Sequence, residues 1–108
     1  MPRAKGRHPK VIGDLSIYPI GEGTSLGDYV RAAFRAMQGV RGIRLAPSAM
    51  STVMEADDLG TLLVAVKRAH AALLRMGARR IALQLRVDHR LDKAATIESK
   101  VGRIKGKI

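Results

Sequence analysis

The chain has 108 residues, 46% of them hydrophobic and 27% charged, with a formal net charge of +11. That is one domain with enough apolar material for one core, which excludes a two-domain enzyme and a chain disordered throughout. The absence of cysteine excludes disulfides, thiolate zinc sites and a cysteine nucleophile, and Tyr18, Tyr29 and Phe34, with no tryptophan, are too few for a site that stacks several bases.

Most of the charge sits at the ends. Residues 1–10 hold four basic residues and no acid, and residues 93–108 hold five basic residues against Glu98, so each end contributes +4 and residues 11–92 contribute +3. Such ends attract polyanions weakly and in a salt-dependent way, so a nucleic-acid-associated protein acting through its Lys/Arg tails is one reading. The longest apolar run, Leu62 to Val66, is far short of the roughly 20 residues needed to cross a bilayer. Residues 11–20 are broken by Gly13, Asp14 and Pro19 and do not read as an export signal, so a cytoplasmic protein with no membrane partner is expected. The organisation expected is a basic tail over 1–10, a folded domain over 11–91 and a basic extension over 92–108.

From Val11 to Ile20 the residues alternate, with Val11, Leu15 and Ile17 on one face and Ile12, Asp14, Ser16 and Tyr18 on the other, which predicts a strand. Ser25 with Asp28 resembles a capping box and predicts a helix to about Gln38, with Leu26, Val30, Ala33, Phe34 and Met37 on its core stripe. Ile43 to Pro47 and Met50 to Ala56 read as a hairpin turning at Pro47 and Ser48. Asp57 or Asp58 then caps a second helix whose apolar positions, from Leu59 to Leu74, follow the helical period until Gly77 closes it. Ile81, Leu83, Leu85 and Val87 alternate with Ala82, Gln84, Arg86 and Asp88 in a last strand. Beyond it, residues 90–108 form either a short helix from Asp92 onward or a basic tail.

The order β-α-β-β-α-β predicts an α+β ferredoxin-like fold, a four-stranded antiparallel sheet with two helices on one face. The other face, assigned Ile12, Ser16, Tyr18, Gln84 and Arg86, is too polar for a plain core and too apolar for a purely wet surface. A homodimer or homotetramer built through this face, enclosing a polar pocket, accounts for both halves of that pattern.

Four groups of residues invite chemistry. Gly21, Glu22 and Gly23 before a helix resemble an anion cradle, but the phosphate-loop lysine is missing, Glu22 repels phosphate, and a strand-to-helix turn needs such residues anyway. Asp57 and Asp58 are better read as caps, whereas Glu55, inside a strand, has no capping role and either accepts hydrogen bonds from a ligand or serves the fold. Asp88, His89 and Asp92 alternate across a strand and lack metal-ligand spacing, so an Asp–Arg pair fixing the sheet end is preferred; His70 reads as a core-edge residue. No convergent acid, base and nucleophile set points to an enzyme.

Leu15 to Gly23 followed by a helix, Leu45-Ala46-Pro47 with Met50 to Ala56, Lys67 to His70 with Leu73, and Val87 to Lys93 with Lys100 and Val101 together resemble the small thiamine-binding protein family over about residues 11–101. Ala46, Ser51, Ala56 and His89 depart from residues common in that family. The resemblance implies a ferredoxin-like oligomer that binds thiamine or its hydroxymethylpyrimidine moiety with no reaction and no cofactor. An aminopyrimidine offers an amine donor and ring-nitrogen acceptors and needs an acceptor beside a hydroxyl or amide donor. Ser16, Ser51, Thr52 and Glu55 supply these groups, and Tyr18 lies on the same face. Glu55 suits a cationic thiazolium, and Arg86 suits a phosphorylated ligand.

Overall fold

The computed structural model describes residues 10–106. Its elements are β1 (Val11–Pro19), α1 (Gly27–Gln38), β2 (Ile43–Pro47), β3 (Thr52–Ala56), α2 (Leu59–Arg75), β4 (Ile81–Asp88) and α3 (Ile97–Ile104). The strands form one antiparallel sheet in the order β2-β3-β1-β4, so each β-α-β crossover skips a strand and the ferredoxin-like arrangement is present. Of the expected N-terminal tail, residues 1–10, residues 1–9 lie outside the described residues, while Lys10 forms an ion pair with Asp57.

Residues directly opposite in an antiparallel pair share a face, and the register therefore sorts every strand position. Val11, Gly13, Leu15 and Ile17 of β1 lie on the same side as Met54 and Ala56 of β3 and Leu83, Leu85 and Val87 of β4. Val11, Leu15, Met54 and Ala56 are buried there against Ala33 and Met37 of α1 and Leu62, Ala65, Ala69 and Leu73 of α2. Gly13 is what lets α2 settle on β1, because a Cβ at this position would stand 2.7 Å from Leu62 Cδ1. Ile12, Asp14, Ser16, Tyr18, Glu55, Gln84 and Arg86 occupy the opposite face, as the alternation requires.

Several boundaries differ from expectation. β3 starts at Thr52 rather than Met50, because the Ser48 N–H (2.8 Å) and hydroxyl (2.9 Å) both donate to the Ser51 carbonyl and hold residues 48–51 in a turn. Helix α1 starts at Gly27 with Leu26 as its N-cap and no side-chain cap, so Ser25 and Asp28 form no capping box. Its Val30, expected in the core stripe, is half exposed. Asp58 caps α2 by accepting the Thr61 N–H at 2.7 Å, and Gly77 follows the helix at φ +90, the left-handed conformation that ends helices. Leu59, Leu63 and Leu74, expected on the α2 core stripe, are exposed.

The segment after β4 forms α3, started by a reciprocal capping box between Thr96 and Ser99. The Ile97 N–H donates to Glu55 Oε1 at 2.9 Å, Arg44 bridges Glu55 and Glu98, and Lys100 pairs with Asp88. Arg44, Glu55 and Asp88 all project from the face opposite α1 and α2. The chain's own third helix therefore covers one end of the face that was expected to be left to solvent or another subunit.

Candidate functional site

β1 is nine residues long and β3 only five, and their pairing stops at Leu15 opposite Thr52. Past that point β1 continues beside β4 alone, and a cleft of about 670 Å³ opens between β1, α1 and the 47–52 turn. This lies within the roughly 300–1,000 Å³ typical of small-molecule sites. Leu26, Val30, Phe34 and Met37 supply an apolar wall, and Ser16, Tyr18, Ser48, Ser51 and Thr52 supply hydroxyl-bearing positions.

The backbone adds a recognition edge. Ile20 donates to the Arg80 carbonyl, so the even-numbered residues of β1 bond towards β4 and the odd-numbered ones point towards β3. Ile17 is the first odd position beyond the end of β3. Its N–H and C=O therefore face the cleft side with no partner among the described residues, an adjacent donor and acceptor on a rigid strand.

Of the residues singled out from the sequence, the structure brings Ser16, Tyr18, Ser51 and Thr52 to this cleft. Glu55 and Arg86 lie elsewhere. Glu55 is buried beneath α3, with its carboxylate engaged by the Ile97 N–H and the Arg44 guanidinium. Arg86 is an exposed guanidinium whose Nη2 donates to Asp14 Oδ2 at 2.9 Å.

Sequence reasoning missed three contributors. Arg31 lines the cleft without an acidic partner among the described residues, although helical spacing places it outside the core stripe. Ile17 alternates with Val11 and Leu15 onto the helix-covered face, and only the strand-length mismatch reveals its backbone role. Asp14 stands behind the cleft; the Ser51 hydroxyl first, and then the Arg86 guanidinium, hold its carboxyl below the usual aspartate range. Its Oδ1 is buried and meets no partner at ordinary hydrogen-bond distance among the described residues. Alternation did place Asp14 two residues from Ser16 on the same face, which was the available signal.

The acids near β4 are engaged structurally, Asp88 by Lys100 and Asp92 by Arg90 at 2.6 Å. Glu22 of the glycine turn accepts the Tyr29 hydroxyl at 2.9 Å, which ties that turn to α1.

The family model described as "Thiamine-binding protein" matches residues 13–105, almost the whole described chain and all of the cleft. The chain belongs to the thiamine-binding protein family. The chain is 38% identical over 99 residues to a UPF0045 protein of Methanothermobacter thermautotrophicus, covering 91% of this chain and 99% of the relative. The crystal structure of the hypothetical protein MJ1052 from Methanocaldococcus jannaschii matches with a TM-score of 0.80 at 34% identity, covering 92% of this chain and 98% of that one. A candidate thiamine biosynthesis/salvage protein from Thermotoga maritima matches with a TM-score of 0.75 at 25% identity, over 89% of this chain and 99% of that one. No helix among the described residues is long and apolar enough to cross a membrane.

Proposed function

We propose that this member of the thiamine-binding family is a non-catalytic carrier or sensor that holds thiamine, or its hydroxymethylpyrimidine moiety, in the β1–α1 cleft. The observation that carries the reading is the unpaired N–H and C=O of Ile17 in a cleft that combines an apolar α1 wall with hydroxyl-bearing positions. The N–H donates to a ring nitrogen, and the C=O accepts from the exocyclic amine on the neighbouring carbon, the complement an aminopyrimidine presents. Ser16, Ser51 and Thr52 satisfy the remaining ring nitrogen or a hydroxymethyl group. Tyr18 and Phe34 add aromatic surface beside a cationic thiazolium.

Arg31 takes over the role expected of Arg86, so a phosphorylated thiamine is favoured by a charge at the cleft rim. Glu55 and Arg86 serve the architecture, through α3 and Asp14 respectively. A chain without cysteine suits a reducing cytoplasm, where this ligand is a metabolite.

The test is a thermal-shift and calorimetric series with thiamine, its phosphates and hydroxymethylpyrimidine, since a ligand that binds only the folded state raises stability by mass action. Val30→Trp fills the cleft from the α1 side at an already exposed position and is expected to abolish the shift while leaving the fold intact. No shift with any of the three in the wild-type chain refutes the reading. The alternative, nucleic-acid association, rests on the basic ends; deleting residues 1–9 and 105–108 is expected to remove any RNA or DNA binding at physiological salt.

A further inference from the structure

Among the described residues, the one buried side-chain atom without a hydrogen-bond partner is Asp14 Oδ1. A carboxylate oxygen kept from water with nothing to accept from destabilises the fold, so a donor should lie close by. The other oxygen, Oδ2, is taken by Arg86 Nη2 at 2.9 Å. The register points to the donor for Oδ1. Asp14 faces Val53 across the β1–β3 ladder, so Ser51, two residues along, is its diagonal neighbour on the same face. Ser51 stands just past the last pair, Leu15 with Thr52, and lines the cleft, whereas Asp14 lies behind it. Of the groups that hold the Asp14 carboxyl below its usual range, the Ser51 hydroxyl has the largest effect, so Asp14 is ionised at neutral pH and can only accept.

Ser51 has one competing acceptor. Ser48 Oγ stands 3.4 Å away, the far limit of a hydrogen bond, and its own proton goes to the Ser51 carbonyl at 2.9 Å, so it does not donate to Ser51. A carboxylate outcompetes that long contact. With its proton committed to Asp14, Ser51 Oγ turns only lone pairs to the cleft. The backbone edge cannot make the same choice. Ile17 offers one donor beside one acceptor, and an aminopyrimidine and its oxo counterpart each present a neighbouring donor and acceptor in return. Only the amine carries a second N–H, which has to be met by something other than Ile17.

We propose that Asp14 fixes the direction of the Ser51 hydroxyl, so that Ser51 accepts the second N–H of a ligand's exocyclic amine and the cleft selects an aminopyrimidine over its oxo counterpart. Asp14 is a positioning residue, acting through Ser51 from behind the cleft, and the assignment rests on the aminopyrimidine reading of that cleft. Ser51 is also a position where this chain departs from residues common in its family. Arg86, on the neighbouring strand, anchors the far oxygen of the same carboxylate.

Calorimetry on the full chain, with hydroxymethylpyrimidine and with the compound in which an oxo group replaces its amine, gives the ratio of the two dissociation constants. The wild type is expected to favour the amine about 10- to 100-fold, because the oxo compound leaves Ser51 without a donor. In Asp14→Asn, Arg86 holds the amide oxygen and the amide N–H groups face Ser51, whose proton then turns to the cleft. The preference for the amine is expected to be lost or inverted. Ser51→Ala, a change in the turn, is expected to bring the ratio near unity, and adding Asp14→Asn to it is expected to move the ratio no further. Circular dichroism checks that each variant is folded. A wild-type ratio near unity overturns the proposal, as does a wild-type ratio retained in folded Asp14→Asn or in Ser51→Ala. So does an Asp14→Asn effect of equal size in the Ser51→Ala background, which would set Asp14 against the ligand itself. Binding of neither compound to the wild type refutes the ligand reading and the proposal with it, whereas binding of both with an unmoved ratio refutes the proposal alone.

Discussion

Replacing Glu55 by alanine isolates the contact that docks α3. The carboxylate is 8% exposed and accepts the Ile97 N–H at 2.9 Å at the start of the helix, where the N–H groups have no intrahelical partner. A hydrogen bond to a charged group contributes about 1.5–3 kcal/mol, and the Arg44 pair, open to solvent on the arginine side, adds at most about 1 kcal/mol. No residue of α3 is fully buried, and its other ties, Glu98 to Arg44 and Lys100 to Asp88, are solvent-exposed ion pairs that contribute little. At about 4–8 °C per kcal/mol for a domain of this size, Glu55→Ala is expected to lower the thermal midpoint by about 10–20 °C. Faster tryptic cleavage at Lys100 and Arg103 should accompany the drop, while Glu55→Gln, which keeps an acceptor oxygen, should fall between the two. Thermal unfolding by circular dichroism measures the first effect and timed proteolysis the second. A drop under about 3 °C, near 0.5 kcal/mol, with unchanged cleavage would refute the docking argument. Thiamine should stabilise the variant by the same increment as the wild type, and loss of that increment would return Glu55 to the ligand site.

Leu62→Ala should cost about 2–5 kcal/mol in chemical denaturation, because Leu62 is fully buried over Gly13 and its removal leaves a cavity between α2 and β1. The carboxyls of Asp14, Glu98 and Asp92 are lowered by hydrogen-bonded partners, Ser51 and Arg86, Arg44, and Arg90 respectively, so they ionise more readily in the folded chain than in the unfolded one. Their stabilisation is complete above the ordinary carboxylate range and is lost as pH falls through the lowered values. The thermal midpoint should therefore fall below about pH 4, and less steeply in Asp14→Asn; identical slopes would remove Asp14 from the account. Arg31→Ala should weaken calorimetric binding of thiamine phosphates about 10-fold relative to thiamine, the loss of one charge-assisted contact.

Much of the architecture was readable because period and burial agree. The alternation of Ile81 to Asp88 marked β4, and Leu62, Val66, Ala69 and Leu73 marked the buried stripe of α2. The cleft was harder to read because it is made by a difference in strand length. Met50 to Ala56 has the composition of one strand, but the Ser48–Ser51 hydrogen bonds close the hairpin in register with the β2–β3 pairing, which leaves Ala49 and Met50 in the turn and starts β3 at Thr52. Reading the strand two residues too long closes the gap that exposes the Ile17 backbone. Glu55 was rightly separated from the capping acids within its own neighbourhood, yet it meets the start of a helix 42 residues later. No local pattern encodes a contact at that distance, and the short helix offered as one of two readings of residues 90–108 carried no sign of which strand it would meet.

Pro47 has a consequence beyond the hairpin it helps to shape. The outer rim of β2 shows its backbone groups to any passing chain, and at one outward position of this five-residue strand the donor is missing. The residue that borders the cleft therefore also makes that rim a poor template for the strand-upon-strand growth that ends in fibrils.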